Sequence, residues 1–142
     1  MTEPAPVPDQ IGPYQIIREI GKGGYARVYL GENASGERFA IKLHFRNRKK
    51  ALRRFYREFS ILSEQDHPTI PRAHQFGEQD GSPWMSMQWV HGETAIVDVR
   101  MFGRAGSPPR IHRAKRVMLG VADALTWLHS QQLLHCDLKP AN

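Results

Sequence analysis

Between Tyr14 and Phe45 the chain alternates short apolar-rich runs with glycine-bearing turns, a spacing that an antiparallel meander satisfies directly. Tyr14–Ile20, Ala26–Glu32 and Arg38–Phe45 each have strand length, and Gly21-Lys22-Gly23-Gly24 and Asn33-Ala34-Ser35-Gly36 join them. Turns this short connect antiparallel neighbours, whereas a parallel pair needs a crossover of about a dozen residues or more. The period then changes. Leu52, Phe55, Phe59 and Leu62 recur at three- and four-residue steps, which predicts an amphipathic helix from about residue 50 to 65. Ile70 to Glu78, the turn Asp80-Gly81, and Trp84 to Val90 read as a further hairpin. Met101 to Pro109 reads as a loop. Ala114, Val117, Met118, Val121, Ala124, Leu125 and Leu128 then give a second helix from Ile111. The pattern predicts an α+β fold: a five-stranded antiparallel sheet with one helix, followed by a helical part.

The 142 residues suffice for one domain with a hydrophobic core, and 40% apolar with 24% charged residues is ordinary for a soluble globular chain. No stretch approaches the roughly 18 uncharged apolar residues of a membrane span. Residues 1–12, rich in proline and lacking a basic start or an apolar run, predict a flexible leader rather than a secretory signal. One cysteine, Cys136, excludes an internal disulfide and fits a reducing, cytoplasmic compartment. The net charge of +6 is concentrated in Arg46–Arg57 and Arg110–Arg116. Such clusters suit nucleic acid or an acidic surface, but no zinc-ligand spacing or arginine-plus-aromatic pattern accompanies them. A solvated basic helix face beside a phosphate-handling site is the preferred reading, with no nucleic-acid partner.

Three segments carry chemistry. Gly21-Lys22-Gly23-Gly24-Tyr25-Ala26-Arg27-Val28 lies between two strands, and glycines let backbone amides approach phosphate oxygens without a Cβ in the way. A plain tight turn is the simpler explanation of that segment alone. A dinucleotide-binding turn is excluded, because it would open a helix and a strand follows here. Lys42 stands in the third strand among Phe39, Ala40, Ile41 and Leu43. Glu58 falls between Ile61 and Leu62 on the helical wheel, and an acidic group beside an apolar stripe needs a partner. Lys42 and Glu58 can neutralise each other and leave a fixed point charge for phosphates. The last segment, His135-Cys136-Asp137-Leu138-Lys139-Pro140-Ala141-Asn142, groups an acid, a cation and an amide into a compact set that suits a hydroxyl-orienting base, a phosphate clamp and a metal ligand.

In this order and spacing, the three segments resemble those of protein kinases, and the chain after its leader resembles the small lobe and the first part of the large lobe of a bacterial-like serine/threonine protein kinase. Ala40-Ile41-Lys42 is similar to the family's Val-Ala-Ile-Lys strand, and the terminal octapeptide to His-Arg-Asp-Leu-Lys-Pro-x-Asn. Lys139-Pro140 points to serine/threonine specificity. The resemblance implies a small lobe at about 13–90 and the start of a large lobe at about 91–142. It implies ATP and Mg²⁺ as cofactors and a protein Ser/Thr hydroxyl as acceptor.

By the same resemblance, Ile20, Gly21, Lys22, Gly23, Gly24 and Tyr25 cover the nucleotide, with Val28 and Ala40 beside it. Lys42, held by Glu58, grips the α and β phosphates. Met87 is the gatekeeper, and Gln88 to Val90 offer backbone groups to adenine. Asp137 takes the catalytic role, Lys139 steadies the γ-phosphoryl charge, and Asn142 holds one Mg²⁺. Departures from the family pattern are Ala26 for the third loop glycine and Cys136 for the arginine before the catalytic aspartate. The second implies activation that does not depend on activation-loop phosphorylation. The Asp-Phe-Gly and activation segments are not in the sequence, so the 142-residue chain by itself is expected to be inactive, a fragment whose parent could carry a membrane span. A nucleotide-binding or regulatory module without catalysis, and a small-molecule phosphotransferase of the same fold, are the alternatives.

Overall fold

The computed structural model describes residues 7–45, 49–95, 100 and 104–139. The chain divides into two compact units. One holds the residues up to Asp66 with Pro71–Val90, and the other holds His67–Ile70 with the residues from His91 onward.

The first unit is an antiparallel sheet with one helix. Its strands are β1 (Gln10–Ile11), β2 (Tyr14–Lys22), β3 (Ala26–Glu32), β4 (Arg38–His44), β5 (Ala73–Gln79) and β6 (Ser82–Gln88), in the order β1-β2-β3-β4-β6-β5. Turn chemistry fixes the register. Between β3 and β4, Asn33 Oδ1 accepts from the backbone N–H groups of Ser35 and Glu37, both at 3.0 Å. Between β5 and β6, Asp80 and Gly81 both take left-handed conformations, φ 51° and 72°. That pairing belongs to the two-residue hairpin turn whose twist matches that of the flanking strands.

The sheet has six strands rather than five, and the expected leader ends earlier than residue 12. Gln10 and Ile11 pair with Gln15 and Tyr14, and Ile11 is fully buried. Two forces hold this piece. Ile11 joins a core of Tyr14, Tyr29, Ile41 and Trp84 on one sheet face. The Gln79 side chain, on the opposite edge strand, accepts from the Gly12 N–H at 2.9 Å and donates to the Gln10 carbonyl at 3.0 Å. Gly12 lies against the Trp84 ring, where a Cβ would fall 2.2 Å from Cζ2, so only glycine fits.

Strand pairing places cross-strand partners on one face. Tyr29, Ile41 and Ser86 share the core face, where the Tyr14 hydroxyl donates to Gln75 Oε1 at 2.8 Å and lies 2.9 Å from Ser86 Oγ. The opposite face carries two rows across the sheet: Val28, Lys42, Met85 and Phe76, then Leu30, Ala40, Met87 and Ala73. Helix α1 (Lys49–Glu64) packs there. Phe55, Tyr56 and Phe59 surround Phe76 at centroid distances of 5.8, 4.7 and 5.4 Å, and His44 stacks edge-on against Phe55.

The second unit contains helix α2, Pro108–Ser130, three residues longer at its start than the periodicity implied. Pro108 and Pro109 fill the first turn, where a missing N–H costs nothing. The expected stripe of Ala114, Val117, Val121, Ala124, Leu125 and Leu128 is half-buried, while Met118 and Leu119 stay 63% and 70% exposed. His67 reaches this helix, with Nε2 3.3 Å from Asp123 Oδ2 and its ring 5.5 Å from Trp127. No helix among the described residues is long and apolar enough to cross a membrane.

Ile11→Ala tests whether the N-terminal strand belongs to the fold. Removing a fully buried isoleucine side chain should cost about 3 kcal/mol in a urea or thermal unfolding measurement. A change below about 0.5 kcal/mol, the range of surface substitutions, would return these residues to a loose leader.

Candidate active site

The glycine segment is a hairpin tip. Strand pairing continues further than the sequence implied: Gly21 and Lys22 still pair, with Val28 and Arg27, so the turn narrows to Gly23, Gly24 and Tyr25. A bulge between Glu19 and Gly21 leaves Ile20 without a cross-strand partner. The Gly23 N–H donates to the Ala26 carbonyl at 2.8 Å, and the Phe45 N–H to the Tyr25 carbonyl at 2.8 Å. Nothing in the packing requires glycine at 21, 23 or 24. None of the three has a positive φ, a Cβ on Gly24 would meet nothing within 4 Å, and those on Gly21 and Gly23 would make only ordinary contacts. Tyr25 is exposed at the tip.

Below that hairpin, the register brings Gly21, Val28, Ala40, Lys42 and Met87 to one sheet face. Lys42 sits mid-strand between Val28 and Met85. Its Nζ reaches both carboxylate oxygens of Glu58 on α1, at 2.5 and 2.7 Å. The side chains are 24% and 40% exposed, so the pair is held at the margin of the packed face rather than inside it. The geometry follows from two periodicities: a period of two aims Lys42 at the helix side of the sheet, and the aromatic contacts of Phe55 and Phe59 turn Glu58 toward that side.

At the end of β6, Met87 is half-buried, and Gln88 and Val90 are exposed. The Gln88 N–H donates to the Arg72 carbonyl at 2.9 Å, so one of the backbone groups expected to be on offer in this segment is already engaged by the sheet.

In the second unit, Lys139 Nζ lies 2.9 Å from Asp137 Oδ2, with both side chains more than half exposed. The Asp137 N–H donates to His135 Nδ1 at 3.3 Å, and Cys136 between them takes φ 60°. A left-handed non-glycine residue is uncommon and marks a sharply turned backbone, here immediately before the aspartate. Asn142, the expected metal ligand, lies outside the described residues.

A protein kinase domain model matches residues 14–142. The chain belongs to the protein kinase family. Among its relatives are bacterial serine/threonine-protein kinases: PrkC of Bacillus subtilis is 36% identical over 92% of this chain, and PknJ of Mycobacterium tuberculosis 36% identical over 91%. The chain spans 20% and 22% of those two proteins, respectively. Among solved structures, the PknI kinase domain of Mycobacterium tuberculosis superposes with a TM-score of 0.73 at 29% identity, over 94% of this chain and 54% of that one. The kinase fold expected from the sequence, a small-lobe sheet with its helix and the beginning of a helical large lobe, is the fold present.

Two functional candidates of this kinase chain belong, as a pair, to none of the three motif segments. Arg27 and Glu19, inside β3 and β2, form an ion pair at 3.5 Å across the glycine hairpin's base. An arginine between the apolar Ala26 and Val28 was the available signal, but an exposed strand cation would read the same way.

The Lys42–Glu58 pair joins sheet to helix, and it is half-screened by solvent. A double-mutant cycle of Lys42→Met and Glu58→Gln should therefore give a coupling of about 1 kcal/mol in unfolding free energy. Coupling within error of zero would mean that the pair does not tie α1 to β4.

Proposed function

We propose that this chain provides the nucleotide-binding lobe, at about 13–90, and the catalytic loop, within about 91–142, of a cytoplasmic serine/threonine protein kinase that moves the γ-phosphate of ATP to a protein hydroxyl. The observation that carries this reading is the Lys42–Glu58 pair on the sheet face shared with Gly21, Val28, Ala40 and Met87. Both oxygens of the helix carboxylate engage the Lys42 ammonium, which fixes its position on that face. The glycines at 21, 23 and 24 support it further, since the fold alone makes no demand for them. Backbone amides free of Cβ atoms suit the approach of phosphate oxygens.

In this reading Glu58 holds the Lys42 ammonium so that it meets the α and β phosphates as a fixed point charge. Ile20, Lys22 and Tyr25 flank the phosphates with the hairpin, Val28 and Ala40 line the adenine side, and Met87 with the backbone of Gln88 to Val90 limits and recognises the base. Asp137 orients the acceptor hydroxyl and takes its proton as the new O–P bond forms and the bond to the ADP oxygen breaks. Lys139 neutralises charge on the moving phosphoryl group. Positioning and charge neutralisation supply most of the catalysis in such transfers. Among the described residues no three His, Cys, Asp or Glu side chains cluster as a metal cage. Asn142 would hold one Mg²⁺, an ion that keeps much of its water and is commonly held by substrate phosphates.

Titration of the purified chain with a fluorescent ATP analogue and Mg²⁺ tests the reading. Lys42→Met should weaken binding at least about tenfold, the loss of one charge-assisted phosphate contact, while Asp137→Asn should leave it unchanged. Wild-type affinity in Lys42→Met would end the nucleotide assignment. The 142-residue chain should transfer no measurable phosphate to protein or small-molecule acceptors. Robust transfer to a protein, abolished by Asp137→Asn, would show that these residues already suffice for catalysis.

A further inference from the structure

A charged side chain braces the base of the glycine hairpin. Arg27 stands on β3 opposite Lys22 and Leu43, one residue from Val28 and therefore on the sheet face away from Lys42. Its side chain is only 11% exposed. Withdrawing a guanidinium from water is costly unless its charge is met. Here Nη1 lies 3.5 Å from Glu19 Oε2, and the guanidinium carbon sits 5.9 Å from the centroid of the Phe45 ring, within cation–π range.

The positions of those two partners give the contact its meaning. Glu19 immediately precedes the bulge that leaves Ile20 unpaired, the point where the strand is re-aimed toward Gly21. Phe45 follows β4, and its N–H already holds the Tyr25 carbonyl at the hairpin tip. One cation thus links the strand entering the glycine turn to the residue that steadies the turn's far side. The need for such a link is physical: glycine loses more conformational freedom on ordering than any other residue, and three of them fall between residues 21 and 24. A loop that must present its amides to an anion gains affinity when that ordering is already done. Because Arg27 faces away from Lys42 and its charge is met by Glu19, it does not itself touch phosphate.

We propose that Arg27, acting through Glu19 and Phe45, is a positioning residue that holds the glycine hairpin in its nucleotide-receiving pose. The proposal rests on the reading of Gly21 to Gly24 as the phosphate-covering segment, and its test separates the two.

The experiment compares the wild-type chain with Arg27→Met, Arg27→Lys and Glu19→Gln in two measurements. The first is amide hydrogen exchange without nucleotide; the second is the Kd for a fluorescent ATP analogue. In Arg27→Met, amides of residues 22–26 should exchange about tenfold faster, the size of a lost half-buried ion pair and cation–π contact together, while those of residues 39–42 stay as in wild type. The analogue should bind weaker by a similar factor. Glu19→Gln should shift both in the same direction, and Arg27→Lys should recover part of each, since it keeps the charge but not the planar stacking group. Unchanged exchange at residues 22–26 in Arg27→Met overturns the proposal, as does faster exchange spread evenly over the whole sheet, which marks a merely structural residue. So does wild-type affinity in a variant whose hairpin has loosened. A wild-type chain that ignores the analogue removes the nucleotide reading instead, and the exchange comparison alone then decides whether Arg27 orders the hairpin.

Discussion

The pairing of the Lys42 ammonium with the Glu58 carboxylate ties the middle of strand β4 to helix α1. Lys42 cannot be moved off its face without shifting β4 by one residue, which would turn Ile41 out of the core. Glu58 meets it from α1, and α1 is held in turn by the aromatic cluster around Phe76. The ion pair itself contributes little to stability at its level of exposure. Its importance is geometric, because strand register, helix rotation and the placement of a fixed positive charge are settled together.

The two faces of the sheet do different work. On one face Ile11, Tyr14, Tyr29, Ile41 and Trp84 form a dense core in which even the Tyr14 hydroxyl finds partners. On the other, small or slender side chains such as Ala40 and Val28 sit near Lys42. Bulk on the first face supplies rigidity, and the second is covered in part by the α1 aromatics around Phe76.

Most of this was legible from the residues in order. The alternation from Tyr14 to Phe45 announced the meander, and the three- and four-residue steps of Leu52, Phe55, Phe59 and Leu62 announced α1 with Glu58 beside its apolar stripe. The pairing of Lys42 with Glu58 could be expected because both are poor residents of apolar surroundings. Other features were hidden for reasons of physics. A two-residue strand such as Gln10–Ile11 is too short to show periodicity, and it is held by the burial of Ile11 and by Gln79, far along the sequence. The extension of β2 through Gly21 and Lys22 was masked by glycine's reputation as a turn former, and the bulge at Ile20 has no signature in composition. The start of α2 was obscured by two prolines that break a helix interior yet suit its first turn.

The Gln79 side chain has a consequence for company as well as shape. β1 and β5 are the outermost strands of the sheet, and an outermost strand presents unpaired backbone groups on which a foreign strand can add. By reaching from one border to the other, a single side-chain amide occupies the Gln10 carbonyl and the Gly12 N–H beside β1. There one polar side chain stands in for two of the backbone partners that a further strand would supply.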